Sequence, residues 1–315
     1  MKGDKSGAAF LRAGLTGGAI VYVILAAAAL AAGDMPWLAL SQAPAPYLAV
    51  LGLLLAVALA TCRRRALGAT VLIGSAVFWT LIAPLIIAAL QGAGVKVPDD
   101  GQTRLKLALV ENSSQSTIDY ILAQHPDIVV VADRSAPDHD RLAALAATYP
   151  AAQASSMAKG PVVLVRPGMA LKVRSDATIE SPFDLVQARI AFEDTDLDLI
   201  VVHLSRPFPL GDPTRSGTEI ARLVEILQRV GPDHMILAGD FNRTPWMSEM
   251  AHLRKELKLA QVSAPGTWPS WSVPLLRLPI DQILVGPALQ LQAIDAGADV
   301  GSDHLPLIAE ILLKP

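Results

Sequence analysis

His234-Met235-Ile236-Leu237-Ala238-Gly239-Asp240-Phe241-Asn242 is an apolar run that ends abruptly in an acid and an amide. Four consecutive apolar residues read as a buried strand, and side chains alternate across a strand. Asp240 and Asn242 therefore project to one side and Phe241 to the other. Gly239 lets another backbone or a substrate approach closely, and Thr244-Pro245 ends the pairing and opens a loop. An acid and an amide delivered together at a strand end suit a hard cation, a phosphate or an attacking water. They equally describe an Asx-turn that only closes the strand.

Around this stretch, strand-like and helix-like segments alternate. Strands are predicted over 105–110, 127–133, 161–166, 189–192, 197–204, 280–285, 289–294 and 307–312, with a turn at 193–196. Helices are predicted over 116–125, 140–148, 218–230 and 246–257, the third with Ile220, Leu223, Val224 and Leu227 on one face. The pattern is a mixed α/β or α+β domain with a large buried sheet system. Polar residues recur at the strand ends: Asn112, Asp133, His203, Asp240 with Asn242, Asp281, and Asp303 with His304. One such residue is ordinarily a cap or a solvated terminus. The whole series, all Asp, Asn or His, fits a single carboxylate-amide-histidine site better.

The amino-terminal third has a different character. The chain of 315 residues is 52% hydrophobic and 17% charged, too apolar for an ordinary soluble protein. The excess lies before residue 92, in uncharged segments at about 13–32, 47–62 and 67–90, each read as a membrane-spanning helix. Lys2, Lys5 and Arg12 precede the first, Arg63-Arg64-Arg65 connect the second and third, and 33–46 has no Lys or Arg. By the positive-inside rule the amino terminus and the triple-Arg loop are cytoplasmic, and everything after residue 92 lies outside. Only six of the 26 Lys and Arg and two of the 29 Asp and Glu fall before residue 92, which leaves 20 against 27, a formal charge of −7. That balance argues against broad sequence-independent nucleic-acid binding. The single Cys62 leaves the outer domain without cysteine to pair.

"PDIVVVAD" (126–133), "VVHL" (201–204), "ILAGDFN" (236–242), "PIDQILV" (279–285) and "GSDHLPL" (301–307), in this order, resemble the endonuclease/exonuclease/phosphatase superfamily over about 105–315. "NRTPW" (242–246) and "TWP" (267–269) are similar to a bacterial branch with amino-terminal membrane helices. The resemblance implies a four-layer α/β sandwich, two packed sheets flanked by helices, after a transmembrane region (1–92) and a linker (93–104). It implies Mg²⁺ or Mn²⁺ held by Asp133 and Asp303 with Asn112 beside them, and Asn242 near the phosphate. Asp240 would position or deprotonate the attacking water, His304 would pair with Asp281, and His203 would point at the phosphoryl oxygens. Phosphoryl transfer needs just such neutralisation of the non-bridging oxygens and placement of the nucleophile. Oxygen-rich, thiol-free ligands favour a hard cation over Zn²⁺.

Three positions depart from the family's pattern: Ala132-Asp133 stands for its Gln-Glu, Gln282 for a His, and Leu305 for a basic residue. Asp133 is a methylene shorter than Glu, which implies loose Mg²⁺ binding and a preference for Mn²⁺. The expected protein is a multi-pass inner-membrane phosphoesterase with its catalytic domain periplasmic or extracellular, and no protein partner. Its substrate is a nucleic acid, a phospholipid head group or a small phosphodiester. The other reading is a catalytically weakened relative kept as a binding or signalling module. Selectivity is expected in loops 205–216 and 264–272, where Phe208, Trp268 and Trp271 lie.

Overall fold

The structure is a computed structural model that describes residues 5–33, 35–92, 103–133, 139–154, 160–173, 183–207, 210, 213–261 and 265–314. Phe208 and all but the last two residues of the expected linker lie outside them. The chain divides into two compact units, Met1–Ile87 with Trp246–Glu249, and Ala88–Pro245 with Met250–Pro315.

The first unit carries three helices, α1 (Lys5–Ala31), α2 (Ala45–Thr61) and α3 (Arg65–Gly92), with Pro84 inside α3. Small residues let them pack closely: a Cβ on Gly52 would lie 2.1 Å from Tyr22 Oη. Buried hydroxyls are satisfied by carbonyls of α2, Tyr22 Oη donating to Leu48 O at 2.8 Å and Ser75 Oγ to Ala49 O at 2.7 Å. The opposite surface is apolar, with Phe10, Ile24, Leu30, Leu54, Val57 and Ile73 exposed. Two stretches, Ala9–Ala31 and Arg65–Ile87, are long and apolar enough to cross a bilayer; α2, of 17 residues, is shorter.

The second unit is two packed sheets with helices on the outer faces. One sheet runs β10 (Leu289–Ala296), β11 (Leu307–Leu313), β1 (Arg104–Val110), β2 (Ile128–Val131), β4 (Val162–Val165), β3 (Ala151–Ala154). The other runs β5 (Leu171–Val173), β6 (Asp184–Phe192), β7 (Thr195–His203), β8 (Met235–Asp240), β9 (Asp281–Val285). Strand alternation sorts the side chains. Leu105, Leu107 and Leu109 of β1, Leu197, Leu199 and Val201 of β7, and Ile236 and Ala238 of β8 fill the space between the sheets. Residues of opposite parity meet the helices: Val129 and Val131 pack with Ile118 and Ile121 of α4 (Gln115–Gln124) and Leu145 of α5 (His139–Thr148). Ile200, Val202 and Leu237 pack with Leu223 and Leu227 of α6 (Pro213–Val230) and Leu253 of α7 (Ser248–Leu257). This is the four-layer α/β sandwich expected from the sequence.

Two strands were not expected. β3 and β5, of four and three residues, each pair with one neighbour only, at sheet edges where propensity and burial leave little pattern. The β6–β7 turn is also tighter than the expected 193–196. Pairing continues to Phe192↔Thr195, because Glu193 adopts a left-handed conformation (φ 52°) that lets two residues reverse the chain.

Candidate active site

Strand register brings three of the expected residues into one row. His203 of β7 is opposite Asp240 of β8, and Asp240 is opposite Asp281 of β9. All three have the parity of the residues between the sheets, so the row points toward the other sheet. Gly239 permits the close approach of β7 and β8: its φ is 141°, and a Cβ there would lie 1.9 Å from Val202 O. Asn242 follows in the left-handed conformation, φ 51°. Its N–H donates to Asp240 Oδ1 at 2.7 Å, and its Nδ2 donates to Leu204 O at 2.8 Å and Asp240 Oδ2 at 3.1 Å. Asn242 thus fixes the Asp240 carboxylate and ties the end of β8 to the end of β7.

His304 enters from the segment before β11. Its Nδ1 is 2.8 Å from Asp281 Oδ2, and both side chains are buried. Nε2 of His203 lies 3.6 Å from Asp240 Oδ2. Buried Arg243 braces this edge, its Nη1 donating to Ser205 O at 2.8 Å and Phe241 O at 3.0 Å. Glu219 of α6 accepts from Ser205 N and Oγ, and Gln282 Nε2 donates to Arg243 O.

The facing sheet contributes a residue that the sequence reading did not single out. Glu111 continues the parity of Leu105, Leu107 and Leu109 and enters the gap between the sheets. It joins Asp240, Asp281 and His304 in one group of potential ligands, and Asp133 and His203 in a second. Asn112, one residue on, has the opposite parity. Its Oδ1 accepts from Ser114 N at 3.2 Å and Thr117 Oγ1 at 2.9 Å, so it braces the start of α4. Asp303 is exposed, and its carbonyl accepts Ser270 N. Asp303 belongs to neither group of carboxylate and imidazole ligands. The site therefore assembles Asp133, His203, Asp240, Asn242, Asp281 and His304 from the expected set, with Glu111 in addition. Gln282 lies on the other face of β9, and Leu305 is buried with its N–H on Thr267 O.

Crowding of carboxylates in a buried gap shifts the titrating groups. Burial, then the charges of Asp240, Asp281 and Asp133, push the Glu111 carboxyl well above its usual range against the pull of His304. Asp240 is pushed up to about 6 by burial and by Asp281, opposed by His304, His203 and the N–H of Asn242. Burial works against the imidazolium of His304, but the charge and hydrogen bond of Asp281, with Glu111 and Asp240, outweigh it and hold His304 up at about 10. Glu111 keeps some contact with solvent, yet its Oε2 is buried, as is Asp133 Oδ1, and neither has a hydrogen-bond partner. Buried anionic oxygens without donors are costly. The donor set, oxygen with imidazole and no thiol, suits a divalent cation such as Mg²⁺ or Mn²⁺.

The chain belongs to the endonuclease/exonuclease/phosphatase family, whose sequence signature matches residues 107–304. This is a family of metal-dependent hydrolases of phosphate esters. Among solved structures, an endonuclease/exonuclease/phosphatase from Bacteroides vulgatus is 17% identical with TM-score 0.53, matching 68% of this chain and 100% of its own. The human nocturnin catalytic domain with bound sulfate is 16% identical with TM-score 0.51, over 67% of this chain and 95% of its own. A family member from Beutenbergia cavernae is 19% identical with TM-score 0.51, over 67% and 72%. These likenesses are of fold. No curated protein sequence matches the chain.

Proposed function

We propose that this protein is a membrane-anchored phosphoesterase that uses Mg²⁺ or Mn²⁺ to hydrolyse a phosphodiester or phosphomonoester by in-line attack of water. The observation that carries this reading is the His203–Asp240–Asp281 row facing the partnerless oxygens of Glu111 and Asp133. Glu111 and Asp133 would hold the cation, which when bound neutralises charge on the non-bridging phosphoryl oxygens. Asp240, its oxygens fixed by Asn242, orients the water and accepts its proton. His304 stays protonated through Asp281 and sets a positive charge against the phosphoryl group, and His203 donates to it from the next strand.

The anchor is the amino-terminal unit, with the triple-Arg loop cytoplasmic and the catalytic domain outside. Alkaline phosphatase, which works only outside the cytoplasm, should be active when fused after Pro315 and inactive after Arg65. Activity from the Arg65 fusion alone overturns the topology. For the chemistry, the full chain in detergent should hydrolyse bis(p-nitrophenyl) phosphate with Mn²⁺, and lose that activity with EDTA or in Asp240→Asn. A parent with no turnover on any phosphate ester, yet with intact metal binding, would instead be the catalytically weakened binding module.

A further inference from the structure

The segment Trp268–Leu278 is an Ω-like loop closed at its neck: Trp268 and Leu278 form an antiparallel bridge, with Trp268 N donating to Leu278 O at 3.1 Å. The neck is bonded to the stretch that carries His304. Ser270 N donates to Asp303 O at 2.8 Å, Ser270 Oγ to Ser302 O, and Leu305 N to Thr267 O at 3.1 Å. From its tip project Trp271, Val273, Leu275 and Leu276, exposed by 80%, 59%, 80% and 53%. Four large apolar side chains in six residues are an unusual thing to leave in water, and no Asp or Glu occurs from Leu257 to Ile280, where Lys258 and Arg277 are the charged residues. Aromatic and aliphatic tips suit the boundary of a bilayer. The chain itself supplies the surface: only eleven residues separate Gly92 of α3 from Arg104 of β1, a reach of at most ~40 Å at ~3.6 Å per residue.

We propose that Trp271, Val273, Leu275 and Leu276 insert into the surface of the bilayer that holds the amino-terminal helices, and that the site takes its phosphate ester from lipid in that surface. The proposal rests on the membrane-anchored phosphoesterase reading. A loop bonded at its neck to Ser302–Leu305 would hold His304 at a fixed height over the lipid phosphates, so that insertion and catalysis are coupled through rigid backbone. A protein partner, or nucleic-acid bases stacked on Trp271, are the occupants that the test must separate from lipid.

The full chain is reconstituted into phosphatidylcholine vesicles carrying phosphatidylglycerol or, separately, a polyprenyl phosphate. An environment-sensitive fluorophore is placed at Leu275→Cys in a Cys62→Ser background, and a control label at Glu225→Cys. The Leu275 label should shift to the blue and be quenched by lipids brominated in their acyl chains, while the Glu225 label is not. Turnover of one of the two lipids identifies the source of the phosphate. The double variant Trp271→Ser/Leu275→Ser should lose about tenfold or more on that lipid, since burial of one such side chain already corresponds to a factor of that order. Its turnover of soluble bis(p-nitrophenyl) phosphate should match the parent's. An unquenched Leu275 label overturns insertion. Hydrolysis of the soluble ester or of an oligonucleotide with neither lipid turned over, or equal losses of the double variant on lipid and soluble ester, overturns the substrate assignment. A parent inert on every ester overturns the phosphoesterase reading and the substrate assignment with it, and the label still decides insertion.

Discussion

Replacing Asp240 by Asn should make the metal-free protein more stable while abolishing turnover. The carboxyl of Asp240 is raised from 3.8 to about 6 by burial and by Asp281, so the folded state holds its proton more tightly than the unfolded chain does. Above pH 6 the native state must carry this charge at a cost of ~3 kcal/mol, two pKa units at ~1.4 kcal/mol each. Below 3.8 both states are protonated and the cost is absent. An amide is neutral at every pH and can keep the bond from Asn242 N–H, but it forfeits one acceptor for Asn242 Nδ2, worth ~1 kcal/mol. The net gain is ~2 kcal/mol at pH 8, or about 4–8 °C in melting temperature for a domain of this size. It should shrink steadily as pH falls from 6 toward 4. Calorimetry of the full chain in detergent with EDTA, at pH 8, 6 and 4.5, measures it. A variant no more stable than the parent at pH 8, or equally favoured at pH 8 and 4.5, would refute the electrostatic account of this carboxylate.

Turnover should rise with pH on the acid side through a group at or below about 6, Asp240 with a cation nearby, and fall on the alkaline side near 10 as His304 loses its proton. Asp281→Asn should move the alkaline limb to lower pH, because it removes the largest influence raising His304; an unmoved limb would assign it to another group. His304→Ala and Asp281→Ala should each lower kcat, with the double variant little worse than His304→Ala, since the 2.8 Å pair acts as a unit. Fully multiplicative losses in single-turnover rates would mean that the two act separately. Asp119→Ala on α4, whose carboxylate accepts Gln115 Nε2, should leave turnover near the parent's.

The sheet system was legible because its strands are apolar runs bounded by turn residues, and Asp240 because a buried run ends on it. Asp281 was legible because it opens such a run, ahead of Ile283-Leu284-Val285. What hydropathy could not supply was register: the row of His203, Asp240 and Asp281 depends on pairings between strands far apart in sequence. Leu105, Leu107 and Leu109 face the gap between the sheets, and counting on by two reaches Glu111, while Asn112 falls on the helix side and braces Ser114 and Thr117 at the start of α4. A series of polar residues at strand ends takes in Asn112; the period of the strand identifies Glu111. Asp303 stands beside His304 in sequence, and in the folded chain its side chain is exposed while its carbonyl accepts Ser270 N. Arg243 could not have been found from sequence, because its bonds go to backbone carbonyls that only the folded chain brings together.

The proposed cation site is tested most directly by titrating Mn²⁺ into the full chain and reading the free ion by electron paramagnetic resonance, with parent, Glu111→Gln and Asn112→Ala in parallel. The parent should show a saturable site, weakened about tenfold or more in Glu111→Gln, where one charged ligand becomes neutral. Asn112→Ala should bind as the parent does and lose only stability, ~1 kcal/mol for its role at the start of α4. Undiminished binding in Glu111→Gln, or binding lost in Asn112→Ala with its fold intact, would contradict a site built on Glu111 and Asp133.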